Sequence, residues 1–232
     1  GNYKNGLRNG LWTHWNDEGK KEREESYKQG KKDGFWTYFD ENGIKERTET
    51  YLKGKPSGKL TYFYSNGNRE KEEFYLKGNQ EGKWTNWYEN GKKEKEEFYS
   101  RGKKNGKWTY YNEKGRRESI VSYKDDLRNG RSTYWYGNGN RKEREENWRQ
   151  DRENGLWTWW NNRGKKIKEG SYKDRQKHGI WSIYDSRGRK MEENQWKNGE
   201  LSGKSFQWDQ RGNKIVLKSF KADEKNGLWT WW

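Results

Sequence analysis

The side chains that most often do chemistry in proteins are scarce or unsuitably placed in this chain. It has two histidines, His14 and His178, and no cysteine. The two histidines occupy different places in the regular pattern of the chain, so each is expected to be an exposed polar residue rather than part of a metal triad or a nucleophile–base pair. The carboxylates lie beside lysines and arginines, not in the singular environments that catalytic acids need. The sequence therefore predicts no enzyme, no catalytic residue, no metal and no cofactor.

A regular series of cations is the sharper chemical feature. A lysine or arginine stands two residues after each glycine of a regular series, at Lys21, Lys45, Arg69, Lys93, Arg117, Arg141, Lys166, Lys190 and Lys214. In a folded array these side chains would form a column with steps of about 10 Å. Such a column could bind a polyanion, for example an acidic glycan or nucleic acid. The alternative is that these charges only keep an aromatic sheet soluble, with neighbouring Glu22, Glu94 and Glu118 neutralising them.

Aromatic rings must form whatever core this chain has. Of its 232 residues only 26% are hydrophobic and 38% are charged, with a mean hydropathy of -1.81 and a net charge of +16. Those values alone suggest disorder, but the chain also has 17 Trp, 16 Tyr and 7 Phe. Rings that stack on the same ring of the next repeat would supply the core, and only rings at the ends of such rows would be free to bind sugars or bases.

The elements that position these residues follow from an internal repeat. A marker glycine recurs at Gly10, Gly34, Gly58, Gly82, Gly106, Gly130, Gly155, Gly179, Gly203 and Gly227. The steps are 24 residues, except for 25 between Gly130 and Gly155. A second glycine follows nine residues after each of the first nine markers, and an aromatic residue precedes each marker by seven. The extra residue must lie between Gly139 and Trp148, where a β-bulge is expected.

Each repeat is expected to be a β-hairpin. GKWTYYN (106–112) is aromatic and threonine-rich, as strands are, and NEKG (112–115) has the glycine that a short turn needs. Helix is the rival interpretation for KKEKEE (92–97), but the frequent glycines would leave any helix too short to be stable. The sequence thus predicts an all-β, elongated array of about ten antiparallel hairpins, running through residues 1–232 as a single continuous domain.

These residues resemble MORN repeats. YKQGKKDGFWTYFDENG (27–43) and YSRGKKNGKWTYYNEKG (99–115) match the usual pattern of an aromatic-x-x-Gly segment, a further Gly, a Tyr-rich strand and Asp/Asn-Gly. The period of 24 is slightly long, and Trp36 and Trp108 stand where the classical repeat has its second glycine. The chain therefore looks like the bacterial MORN variant of antitoxins and surface proteins. A second likeness, to choline- and glucan-binding repeats of cell walls, has a shorter period.

The resemblance implies hairpin repeats in an extended, curved sheet, with scaffolding, dimerisation or membrane-proximal roles. Three functions remain open: a structural scaffold that binds itself or another protein, a module that binds cell-wall glycan or another polyanion, and an antitoxin or immunity protein. Nucleic acid and membrane are not expected as partners. The sequence does not fix the compartment, although the surface-protein likeness points to the cell surface.

The last seven residues, NGLWTWW, repeat the segment Asn154 to Trp160. Repeat arrays usually close with an atypical, polar copy, whereas this strand is as aromatic as the interior copies. Exposed strand edges pair readily with other chains. The sequence therefore predicts an assembly edge for head-to-tail growth of a filament, with candidate residues Tyr3, Leu228, Trp229, Trp231 and Trp232. The alternative is an arbitrary cut in a longer array.

Overall fold

The structure, a computed structural model, describes all 232 residues. Its regular elements are β-strands without exception, and every recorded strand pairing is antiparallel. The prediction of an all-β hairpin array is confirmed, and the rival helix is excluded because Lys93–Ser100, which covers most of KKEKEE, is a strand. The chain contains no helix that could cross a membrane. It forms two compact units, Gly1–Gly115 (unit 1) and Arg116–Trp232 (unit 2).

Unit 1 consists of hairpins joined in chain order. Its strands are β1 (Asn2–Lys4), β2 (Leu7–Trp15), β3 (Lys21–Lys28), β4 (Lys31–Lys32), β5 (Gly34–Phe39), β6 (Lys45–Leu52), β7 (Lys55–Pro56), β8 (Gly58–Phe63), β9 (Arg69–Leu76), β10 (Asn79–Gln80), β11 (Gly82–Trp87), β12 (Lys93–Ser100), β13 (Lys103–Lys104) and β14 (Gly106–Tyr111).

Unit 2 continues the same pattern. Its strands are β15 (Arg117–Lys124), β16 (Leu127–Arg128), β17 (Gly130–Trp135), β18 (Lys142–Arg149), β19 (Arg152–Glu153), β20 (Gly155–Trp160), β21 (Lys166–Lys173), β22 (Gln176–Tyr184), β23 (Lys190–Lys197), β24 (Glu200–Trp208), β25 (Lys214–Lys221), β26 (Glu224–Lys225) and β27 (Thr230–Trp231).

The hairpin β11–β12 shows the register that the other copies share. Gly82 pairs with Tyr99 and Trp84 pairs with Glu97, and β12 then pairs with β14 of the next copy. Near the turn the register shifts, because Asn86 pairs with Lys95 but Trp87 pairs with Lys93. One residue of the return strand is therefore skipped, and this bulge recurs in the other hairpins.

Two kinds of turn connect the strands. The longer turn is closed in the first copy by the amide of Asn16, which donates to the carbonyl of Lys20 at 2.9 Å. The Asn16 side chain accepts hydrogen bonds from the amides of Glu18 and Lys20, an arrangement that favours asparagine or aspartate at this position. The shorter turn has two central residues, both with positive φ, as at Gln29 (53°) and Gly30 (75°). This is the requirement of a type I′ hairpin turn.

The extra residue of the sixth copy does not form a β-bulge of its own, so that prediction was wrong. The turn there is closed by the amide of Tyr136, which donates to the carbonyl of Arg141, one residue further along than in the first copy. The strands on both sides keep the common register, including the pairing of Trp135 with Lys142. Lengthening the turn preserves this register, whereas a bulge within a strand would move side chains to the opposite face.

Candidate interaction surfaces

The tryptophans two residues after the marker lie on one face of each sheet, here called the ring face. Trp36, Trp84 and Trp108 are only 3–5% exposed. The indole nitrogen of Trp84 donates a hydrogen bond to the carbonyl of Phe74 at 3.0 Å, and Trp36 bonds Ser26 in the same way at 2.9 Å. These three rings are buried and their indole nitrogens are hydrogen-bonded, whereas the buried indole nitrogen of Trp12 has no partner. The prediction that they are structural, and not free to stack on a ligand, is confirmed.

The aromatic residues seven before the marker complete these rows. Tyr27 meets Trp36 at a ring-centroid distance of 5.1 Å, and Tyr75 meets Trp84 at 5.2 Å. Trp84 also meets Tyr99 of the next strand at 4.8 Å. Tilted and edge-on contacts at these distances add to the effect of burial. The core of the sheet is therefore a line of rings that runs across the strands.

Buried glutamates pair across the hairpin with the residue two after the marker, which is tryptophan in most copies, and the sequence reasoning missed this feature. Glu25, Glu49, Glu73, Glu97 and Glu146 are 4–7% exposed. The Glu49 carboxylate lies 3.0 Å from Nε of Arg47 and accepts a hydrogen bond from the Tyr51 hydroxyl at 2.8 Å. Partners of this kind offset the cost of removing a carboxylate from water. The buried carboxylates are thus ion-paired parts of the ring face and not free acids.

The predicted column of cations lies on the other face, here called the outer face, and most of its members are paired. Lys21 meets Glu24, Lys93 meets Glu96, and the same contact recurs at Arg69, Lys166 and Lys190. Glu22 and Glu94, which were expected to neutralise these charges, are not their ion-pair partners. The bulge skips one return-strand residue, so the carboxylate three positions on shares the face instead.

Four members of the column differ from the rest. Arg141 lies in the lengthened turn and donates to the carbonyl of Asn162 at 2.6 Å, while Lys142 takes its place beside Glu145. Three other members, Lys45, Arg117 and Lys214, have Thr48, Ile120 and Leu217 where the paired members have glutamate. Five of the nine members of the column thus pair with a glutamate and four do not. The binding of a polyanion by the column stays a prediction.

The residues of the predicted assembly edge are mostly exposed. Tyr3, Leu228, Trp231 and Trp232 are 63–77% exposed. Trp229 is half-buried: it packs on Phe220 at 5.7 Å and its indole nitrogen donates to the Ser219 carbonyl at 3.3 Å. Tyr3 packs edge-on against Trp12 at 5.0 Å. The use of these strands in assembly stays a prediction.

The two histidines are half-buried, not exposed as expected. Nε2 of His14 lies 3.1 Å from the buried carboxylate of Glu25. Nδ1 of His178 is buried without a hydrogen-bond partner. They belong to different units. No group of three or more His, Asp or Glu side chains is arranged to hold a metal ion.

The outer face of unit 1 carries an exposed apolar surface. In each hairpin the residue one after a marker pairs with the residue eight before the next marker. Phe35 pairs with Thr50 in this way, and Lys83 pairs with Phe98. Large apolar side chains of this row and of the neighbouring row towards the short turns form the outer apolar surface: Leu7, Leu11, Phe35, Leu52, Phe74, Leu76 and Phe98, which are 39–74% exposed. A large exposed apolar patch on a protein surface often marks an interaction site.

A groove of about 310 Å³ lies within this surface, with Phe74 and Trp87 beside Lys59, Lys83 and Lys93. Two carboxylates next to the groove hold these cations in place. Lys59 and Arg69 both lie 3.0 Å from Glu72. Four cations therefore face two carboxylates once Glu96 is counted, so the rim of the groove is positive.

The Glu96 carboxylate has an unusual titration. Burial alone would raise its pKa, but hydrogen bonds from Lys83, Lys93 and the Tyr111 hydroxyl outweigh burial and lower the pKa to about 2. The Lys93 and Tyr111 contacts measure 2.6 and 2.9 Å. Glu96 therefore stays ionised and fixes both lysines at the groove.

The fold and these surfaces define a class of protein: a β-hairpin repeat protein with a ring-stacked core. A family model described as MORN repeat variant matches it at four places, residues 8–29, 56–77, 80–101 and 153–174. The chain is a MORN-repeat protein of the variant kind, and the 24-residue register extends the same hairpin beyond the matched segments. Proteins built from such repeats serve in protein or ligand interaction.

No curated protein matches the chain. The solved structures that resemble it include the crystal structures of TcdB2-TccC3 and of TcdB2-TccC3-Cdc42, each at 10% sequence identity with a TM-score of 0.17. Each match covers 90% of this chain and 15% of that chain. The chain thus spans about 15% of the length of those proteins, and a similarity this low carries no argument about function.

Proposed function

We propose that this chain is a non-enzymatic scaffold that binds a protein segment on the outer apolar surface of unit 1. The observation that carries the proposal is the exposure of several large apolar side chains on one face of the sheet, led by Phe35 at 74%. The ring face already buries its tryptophans, so the fold does not need these outer side chains for its core.

The chemistry of the surface favours a particular partner. Phe74 and Trp87 offer ring surface, while Lys59, Lys83 and Lys93 leave the groove rim positive. A segment that combines apolar side chains with aspartate or glutamate would bury the rings and pair with the lysines. Interface cores rich in aromatic residues and rims of charge are typical of protein recognition.

The local backbone supports a preformed surface. An added Cβ at Gly82 would lie 3.9 Å from the Phe74 ring, and one at Gly106 would lie 3.5 Å from Cβ of Phe98. Each phenylalanine thus packs beside a marker glycine of the next copy and is held in place along one edge. A surface fixed in this way loses little side-chain freedom when a partner binds.

A peptide library displayed on phage and selected on the purified chain would test the proposal. Selected peptides should carry acidic and apolar residues and bind saturably. The variant Phe35→Ser, Phe74→Ser, Phe98→Ser should weaken their binding at least about tenfold, since buried aromatic anchors dominate interface energies. Serine suits these positions because Ser26 and Ser122 occupy the same row in other copies.

The matched control removes equivalent side chains from unit 2. Leu127, Leu156 and Ile180 are 40–57% exposed at corresponding positions, and replacing all three with serine should leave peptide binding unchanged. Equal loss in both variants, or no saturable peptide binding at all, contradicts the proposal. Saturable binding to an array of acidic glycans, unaffected by the phenylalanine substitutions, would instead favour the polyanion alternative.

A further inference from the structure

The tips of the longer turns carry opposite charge in the two units. The tip residues are the seventh and eighth after each marker. In unit 1 they include Asp17, Glu18, Glu41, Glu89 and Glu113, opposed by Lys114 alone. In unit 2 they include Arg163, Arg187 and Arg211 and no carboxylate. The same turn of the same repeat is therefore acidic in one unit and basic in the other.

Apart from Glu18, which lies 3.0 Å from Lys20, the charged groups at the tips form no ion pair within the chain. Asp17, Glu41, Glu89 and Glu113 are exposed, and so are the three arginines. The turns themselves are held by the residue before the tip: the Asp185 side chain accepts from the amides of Arg187 and Arg189, and Asp209 does the same in the next copy. The backbone amides of the tip arginines take part in this turn, but their guanidinium groups do not.

The basic residues next to the tips differ from the tip arginines, because their side chains bond to the neighbouring turn. Arg141 donates to the carbonyl of Asn162, and Lys20 donates to the carbonyl of Glu41 at 3.2 Å. These cations, ten residues or so after a marker, bridge one turn to the next and are part of the fold. The tip cations Arg163, Arg187 and Arg211 bridge nothing in the chain, so they remain available to a partner.

The arginine tips occupy three successive longer turns of unit 2, and the acidic tips occupy four of the five longer turns of unit 1. Consecutive longer turns in a unit are separated by two strands, which is about 10 Å in any antiparallel sheet. The third copy has the uncharged tip Ser65-Asn66, so the three arginine tips can align with two acidic tips at once. Multiple weak pairs of this kind combine because each later contact forms within an existing complex.

We propose that two copies of this chain associate through these tips, with the acidic turns of unit 1 of one copy against the basic turns of unit 2 of another. The contact uses turn tips and not the outer apolar surface, so it does not depend on the function proposed above. It also does not involve the first and last strands. Because the acidic and basic rows lie in different units, each copy can engage two others, and the contact propagates head to tail unless it closes into a ring.

The net charge of +16 sets the conditions under which the contact forms. At ionic strengths far below about 0.1 M, repulsion between whole molecules acts over tens of ångströms. At about 0.1 M the screening length is about 10 Å, so distant charges are screened while carboxylate–guanidinium pairs in contact persist. At about 1 M these exposed pairs also weaken. Association should therefore be present near 0.1 M salt and largely absent near 1 M.

Sedimentation velocity over a range of protein concentrations tests the proposal with two charge-reversal variants. The acidic-tip variant is Asp17→Lys, Glu41→Lys, Glu89→Lys, and the basic-tip variant is Arg163→Glu, Arg187→Glu, Arg211→Glu. Either variant alone should lose at least about tenfold in self-association, because its two sets of tips now carry the same sign. Mixed together, the two variants should associate again, since the tips of one are basic in net charge in both units and those of the other are acidic in net charge in both units.

The matched control reverses three cations at the opposite edge of unit 1, Lys53→Glu, Lys77→Glu and Arg101→Glu, which gives the same change in net charge as the basic-tip variant. It should retain self-association. Circular dichroism of each variant should match the parent, because the altered side chains make no contact within the turns. A parent chain that stays monomeric at about 0.1 M salt, or a mixture of variants that does not associate, overturns the proposal.

Discussion

The two units build the same hairpin but differ in the residue that pairs with the position two after the marker. In unit 1 four successive copies place a glutamate there, Glu25, Glu49, Glu73 and Glu97, all 4–7% exposed. In unit 2 the same position holds Val121, Glu146, Gly170, Asn194 and Lys218. The strand pairing is the same in both, with Trp84 opposite Glu97 and Trp157 opposite Gly170. The buried charge is therefore one of several solutions, whereas the hairpin register is common to all of them.

The rings vary less than the buried glutamates do. Unit 2 shows how the absence of a ring at one position is compensated at another. Ser132 stands where most copies have tryptophan, yet it is fully buried at 0% exposure. On the neighbouring strand Trp148 replaces the usual tyrosine, pairs with Gly130 and is 8% exposed. The larger ring at Trp148 supplies volume where Ser132 is small. Ring volume is thus shared between adjacent strands and not fixed to one position.

The prediction with the largest expected effect tests whether the buried rings contribute equally to the stability of both units. Trp108→Ala in unit 1 and Trp157→Ala in unit 2 should each lower the free energy of unfolding by about 3–5 kcal/mol, as truncation of a buried aromatic side chain does. Urea denaturation followed by circular dichroism measures this. Phe35→Ala is the control, because its ring is 74% exposed and surface changes of this kind stay within about 0.5 kcal/mol. A large loss in one unit alone would break the comparison.

The second prediction tests whether the buried charge of unit 1 is replaceable. Nζ of Lys95 lies 3.0 Å from Oε1 of Glu97, which is 5% exposed. Lys95→Ala should cost roughly 2–4 kcal/mol, because it leaves a buried carboxylate without its cation. The double variant Lys95→Ser, Glu97→Val installs the pair that unit 2 has at Ser119 and Val121, and it should cost less than about 1 kcal/mol. If the double variant is the worse of the two, the ion pair itself stabilises the ring face.

Much of this architecture follows from the sequence. The 24-residue period, the turn glycines and the alternation of rings predict the hairpins and the burial of Trp36, Trp84 and Trp108. The buried glutamates do not follow so directly, because their position depends on which residue of the return strand faces the ring. The bulge is decisive here: it pairs Trp87 with Lys93 but Asn86 with Lys95. That shift sends Lys93 to Glu96 rather than to its neighbour Glu94, which simple alternation could not anticipate.

The third prediction concerns the pH dependence of the outer face. Hydrogen bonds from two lysines and Tyr111 prevail over burial and depress the pKa of Glu96 to about 2 from 4.5. The stabilisation is present above about pH 4.5 and is lost as the pH falls towards 2, because the unfolded chain takes up the proton first. Such a shift corresponds to about 3 kcal/mol at most. Solvent screening at the half-exposed lysines reduces the expectation to about 1–2 kcal/mol.

Glu96→Gln should therefore lower the free energy of unfolding at pH 7 and have little effect at about pH 2.5. Thermal unfolding of the variant and the parent at both pH values gives the comparison. Glu70→Gln is the control, because Glu70 is exposed and has no ion pair. A constant difference between Glu96→Gln and the parent across this pH range would show that the carboxylate charge is not the source of the effect.

The smallest expected effect separates the two-residue turns of the two units. In unit 1 the second turn residue is always glycine, for example Gly102 with φ of 79°, and an added Cβ there would meet no atom within 4 Å. In unit 2 that residue is usually not glycine: Arg175 has φ of 74° and Asp151 has φ of 58°. A left-handed backbone costs an L-residue about 1–2 kcal/mol, while glycine costs about 0.5–1 kcal/mol in lost chain entropy. Unit 2 therefore carries strain that unit 1 avoids.

Arg175→Gly should raise the free energy of unfolding by about 0.5–1 kcal/mol, and Gly102→Ala should lower it by a similar amount, since only backbone conformation changes at either site. Asp151→Gly is the informative contrast. Asp151 accepts hydrogen bonds from the amide and from Nε of Arg128 at 3.0 and 2.9 Å, and their loss should cancel or exceed the relief of strain. The denaturation midpoints of the three variants measure these effects. If Asp151→Gly stabilises the protein as much as Arg175→Gly does, the hydrogen bonds of Asp151 do not offset its strained backbone.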